Sequence, residues 1–121
     1  MKQRVLLKIQ AFYYILTGVW PWISMKTFLM VTGPKSDLWL VKVVGILILV
    51  CGITLFLASL SKKRNGPIIF LAIGYAVSLA FADILFFLQN IIPAIYLADA
   101  LLEVILIVLW ITSIYKTRKS I

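Results

Sequence analysis

LWLVKVVGILILVCGITLFLASL, residues 38–60, carries one charge, Lys42, in an otherwise apolar run. At about 1.5 Å per residue, a helix of this length covers the ~30 Å hydrocarbon core of a bilayer. Strands of a membrane barrel would be near 10 residues with alternating polarity, so a helix is the only conformation that crosses with every backbone group paired.

Three more segments read the same way: 5–25, with a continuation toward Val31, then 67–88 and 92–114. The whole chain of 121 residues fits this picture. It is 64% hydrophobic and 13% charged, with a mean hydropathy of +1.11. Soluble chains are roughly 45–50% apolar and about 25% charged, and a domain this small cannot hide the excess inside itself. A soluble enzyme, a disordered tail and a disulfide scaffold are excluded. The fold expected is all-α: one domain over 1–121, an integral membrane, antiparallel four-helix transmembrane bundle.

Twelve Lys and Arg face four acids, for a net charge of +8. Nine of the twelve fall on one side of a four-span chain: Lys2, Arg4 and Lys8, then Lys62, Lys63 and Arg64, then Lys116, Arg118 and Lys119. The positive-inside rule then puts both termini in the cytoplasm. The basic excess reports topology and predicts no nucleic-acid partner. Residues 1–8 have the charge of a signal peptide. Gln10, Thr17 and Trp20-Pro21-Trp22 interrupt the apolar stretch that would follow, so the reading is a retained first span. Pro21 cannot donate to the Thr17 carbonyl, which predicts a kink. Ser36 or Asp37 is placed to cap the second span, and residues 89–93 form a tight hairpin between the last two.

Three of the four acids, Asp83, Asp99 and Glu103, fall inside predicted spans. A carboxylate in the hydrocarbon layer costs about 2.5–3.5 kcal/mol even on insertion scales, and it normally faces protein or a wet cavity. Asp83 and Asp99 lie at similar depth, roughly 9 Å below the outer end, with Glu103 about 6 Å deeper. Tyr96, Ile107 and Trp110 share the Asp99–Glu103 face. Ala72, Ala76, Ala80 and Asp83 form one stripe and Gly74, Ser78 and Ala82 another, both suited to close helix contact. Span one adds a polar line of Gln10, Tyr13 or Tyr14, Thr17, Pro21 and Ser24.

The candidate ligand or ion site is therefore Asp83, Asp99, Glu103, Tyr96 and Ser24, in the outer half. Lys26 and Lys42 are candidate ion-pair partners, and a structural ion-pair network is the competing reading. Trp20, Trp22 and Trp39 read as interface anchors. Gly45 and Gly52 offer a face for self-association. Cys51 reads as an apolar filler. His is absent, and no phosphate loop, Cys/His metal cluster or catalytic triad is present, so no metal or cofactor is expected.

Thr32-Gly33-Pro34-Lys35 with Asp37-Leu38-Trp39-Leu40-Val41, together with Trp20-Pro21, Tyr96-Leu97-Ala98-Asp99 and Glu103, resembles a family of small bacterial four-helix membrane proteins of uncharacterised activity. The resemblance implies a bacterial cytoplasmic membrane. In outline the chain is also similar to EXPERA-type proteins, an architectural analogy without a matched motif. Small multidrug-resistance transporters share the four spans but carry an acid in the first, and this chain has none there.

Three functions stay open. One is a binding or transport-type bundle whose carboxylate-lined pocket takes an ion, a proton, or a cationic or lipidic small ligand. Another is an accessory subunit of a membrane complex or a homo-oligomer. The last is a membrane-embedded lipid isomerase. The balance leans away from an enzyme.

Overall fold

The computed structural model describes residues 3–33, 37–61 and 66–119, with side chains as far as Tyr115. It is all-α: α1 Gln3–Ile23, α2 Met25–Thr32, α3 Leu38–Ser59, α4 Gly66–Leu88 and α5 Ile95–Lys119. Ser36 and the basic residues at 2, 35, 62–64 and 116–119, which carry most of the expected topology, lie outside the described side chains.

Three helices are long and apolar enough to cross a membrane: α3, α4 and the Ile95–Tyr115 part of α5. This is an integral membrane protein. The 21-residue α1 is not among the three, because Arg4, Lys8, Gln10, Thr17 and Pro21 dilute its apolar character. Side chains are arranged inside out relative to a soluble protein. Phe12, Leu47, Phe70, Phe81 and Leu101 point outward, while Gln10, Ser59 and Glu103 are among the most completely buried.

The expected first span is two helices. Pro21 sits inside α1, but the chain breaks three residues later at Ser24, where φ is −151° and ψ is 89°. Ser24 Oγ accepts the Thr27 N–H at 3.3 Å and caps α2. Thr27 Oγ1 donates to the Ser24 carbonyl and accepts the Trp20 indole N–H at 3.0 Å. Trp20 packs edge-on against Phe28 at 5.3 Å. Local polar groups thus stabilise a break that proline alone did not position.

Two other boundaries differ from expectation. Asp37 occupies the N-cap position of α3, but its side chain makes no capping bond; only its carbonyl receives the Leu40 and Val41 N–H groups. The last helix begins at Ile95 rather than residue 92, because Pro93 keeps its predecessor out of the helical region. The α4 end is a Schellman-type closure: Ile91 N–H donates to the Phe86 carbonyl and Asn90 N–H to that of Phe87, with Asn90 at φ 61°.

Helix α1 lies against α3 with almost no side chain between them. A Cβ on Gly18 would stand 2.5 Å from the Gly45 carbonyl oxygen and 2.7 Å from the Leu49 nitrogen. One on Gly52 would meet Ile15 Cγ1 at 2.9 Å and the Ala11 oxygen at 3.0 Å. The pairing of 18 with 45 and of 11 with 52 makes the helices antiparallel. Trp22 continues the register, donating to the Lys42 carbonyl at 2.9 Å. Gly45 and Gly52, expected to serve association between copies, are buried against α1. The remaining neighbours of α1 are the antiparallel pair α4 and α5, and α4 turns its Ala72, Ala76, Ala80 and Asp83 stripe inward.

Candidate functional site

The polar face of α1 meets α4 and α5 in two tiers. At the tier nearer the α4–α5 hairpin, Tyr13 Oη donates to Asp99 Oδ1, and Asp83 lies on the buried stripe of α4. Tyr13 and Asp99 are half-buried and Asp83 is 8% exposed.

One helical turn inward, nothing reaches solvent. Tyr14 Oη donates to Glu103 Oε2 at 2.9 Å, and Glu103 is 0% exposed. Behind Tyr14 stands Gln10, whose amide orientation is fixed from both sides. The Trp110 indole N–H can only donate, and it reaches Gln10 Oε1 at 2.8 Å. The Ala72 carbonyl can only accept, and it takes Gln10 Nε2 at 2.8 Å. Nε2 also donates to Tyr14 Oη at 3.1 Å. Donation therefore runs one way, from Trp110 through Gln10 and Tyr14 to Glu103.

The chain of donors ends on an acceptor with a spare oxygen. Glu103 Oε1 and Asp83 Oδ2 are both buried and have no hydrogen-bond partner among the described residues. The site is short of hydrogen-bond donors among the described residues. A buried carboxyl oxygen left in that state costs stability unless a donor is supplied.

The expected ion pairs are not made this way. Lys42 extends its Nζ over the Trp22 ring, 5.2 Å from the centroid, and Lys26 is exposed on α2. Ser24 serves the α1–α2 junction rather than the acids. Tyr96 opens α5 with its N–H on the Pro93 carbonyl, one turn above Asp99. No group of three His, Cys, Asp or Glu among the described residues is placed to hold a metal ion.

Two surface grooves, one between α1 and α3 and one on α4, are lined by neither Glu103 nor the aspartates. The enclosed apolar cavity that a lipid isomerase would need is not provided by either. Gln10, Tyr13, Tyr14 and Trp110 are not among the candidate site residues of the sequence reading, although it places Trp110 on the Asp99–Glu103 face and the others on the polar line of span one. The structure joins them to the acids.

No family model matches the chain, and no curated protein or solved structure is similar to it.

Proposed function

We propose that this protein is a four-helix transmembrane bundle, α1 supplying the fourth span and both termini cytoplasmic, that binds a cation in its outer half. The occupant is a proton or the ammonium head of an amphiphile, as in a transport-type protein. The observation that carries this reading is the pair of buried, donorless oxygens, Asp83 Oδ2 and Glu103 Oε1, in a site whose charges are all acidic. An ammonium group brings three N–H donors and one positive charge, which is what the site lacks. Tyr13 and Asp99, the half-buried members, form the entrance.

The test uses protein in lipid nanodiscs, with dodecylammonium and dodecyltrimethylammonium as probes. The first, which has N–H donors, raises the melting temperature of the wild type more than the second. Glu103→Gln and Asp99→Asn lose that difference. In liposomes the same variants lose proton-coupled uptake. Wild type and both variants responding alike would overturn the reading.

A further inference from the structure

The geometry points to an anionic-phospholipid site in the groove between α1 and α3, its acyl chain along Ile9, Phe12, Ile15 and Phe56 and its phosphate on Lys8. The groove measures about 520 Å³ and is lined by these five residues, a size within the usual range of small-ligand sites, about 300–1,000 Å³. Four of the five are large and apolar, so the groove offers an acyl chain the surface that neighbouring lipids offer it. Lys8 is the one charge among the described residues of its wall.

The distribution of charge decides what the head group must be. All four acids lie toward the opposite end of the molecule. Asp37 precedes α3, Asp83 is in the last third of α4, and Asp99 and Glu103 are in the first third of α5. The antiparallel pairing of Gly18 with Gly45 and of Ala11 with Gly52 puts Lys8 at the far end of α3 from Asp37. Gln10 faces Trp110, seven residues inward of Glu103. None of these four acidic side chains can serve as counter-ion to Lys8. Arg4, exposed one turn before it, adds a second positive charge at the same end. Lys8 can lay its methylenes along Phe12 and carry its ammonium to the head-group layer. There a phosphate is the available anion, and basic pockets between transmembrane helices hold anionic head groups in this way.

A second groove, about 530 Å³ on α4 and including Phe70, Gly74 and Val77, has no basic residue among the described residues of its wall.

Full-length protein is equilibrated with mixed dioleoyl phosphatidylglycerol and phosphatidylcholine, and the lipids retained are counted by native mass spectrometry. The wild type favours phosphatidylglycerol about fivefold, equivalent to ~1 kcal/mol for a Lys near the surface. Lys8→Gln brings the ratio to near unity, Lys8→Arg keeps it, and Phe12→Ala lowers retention of both lipids without changing their ratio. Lys26→Gln, on the exposed α2, leaves the preference unchanged. An unaltered ratio in Lys8→Gln would overturn the site, and so would an equal loss in Lys26→Gln, which marks diffuse attraction between a basic protein and an acidic surface.

Discussion

The two sides of α1 are held by opposite means. Toward α3 it presents Ala11, Ile15 and Gly18, and the helices approach until the backbone of one touches the backbone of the other. Toward α4 and α5 it presents Gln10, Tyr13 and Tyr14, and the approach is set by side chains that each find a named atom. Lipid tails are as apolar as leucine, so helices in a membrane gain little from burying apolar surface against each other. They associate through close packing and through interhelical hydrogen bonds. Here one helix uses each device on a different face. The α3 side discriminates by volume and is indifferent to polarity, whereas the α4–α5 side discriminates by donor and acceptor.

The sharpest way to break that division is to add volume to the glycine face. A Val at Gly18 places Cβ 2.5 Å from a carbonyl oxygen and 2.7 Å from a backbone nitrogen, and no flexible side chain stands there to yield. Overpacking typically costs about 1–3 kcal/mol; with backbone on both sides, Gly18→Val is expected at or above the top of that range in a denaturant titration in detergent. Next comes polarity on the other face. Gln10→Leu is of similar volume but strands the Trp110 N–H and removes the Ala72 and Tyr14 contacts, for about 1–3 kcal/mol. Adding Trp110→Phe to it removes the stranded donor, so the double variant loses less than the sum of the singles. Strict additivity would mean that the two do not form one unit. The smallest effect belongs to a glycine on neither interface. A Cβ at Gly74 meets nothing within 4 Å, so Gly74→Ala is expected to be neutral or to stabilise by up to about 1 kcal/mol through helix propensity. A clear loss there would reveal a partner covering that face of α4.

The parts of this molecule legible in the sequence are those where composition alone carries the signal. Helices α3 and α4 fall within one residue of their expected bounds, because an apolar run has few other ways to meet a bilayer. The three acids stood out for the same reason, as charges where charge is costly. What escaped reading depends on direction rather than content. Pro21 announced a kink, but its position was settled by Ser24, Thr27 and Trp20 acting together. Adjacent Tyr13 and Tyr14 looked like alternatives on one polar line. Both are used, about 100° apart around α1, one for Asp99 and one for Glu103. Lys42 had three carboxylates and an indole within plausible reach, and nothing in its spacing told that it takes the indole. Gly45 and Gly52 marked a close contact correctly but not whose helix would fill it.

The fixed orientation of Gln10 has a consequence for conduction. A proton wire needs members that can receive a proton on one side and release one on the other, then turn back. A hydroxyl and a carboxyl can do this. The Gln10 amide is locked between a donor and an acceptor that cannot exchange roles, and the Trp110 indole only donates. Polar side chains therefore run from Asp99 to Trp110, about 16 Å along α5 at its helical rise, yet the inner part of that line is closed to proton hopping. On the proposed reading, a proton held at Glu103 would exchange only toward the Tyr13–Asp99 end, and binding there would not short-circuit a gradient across the membrane.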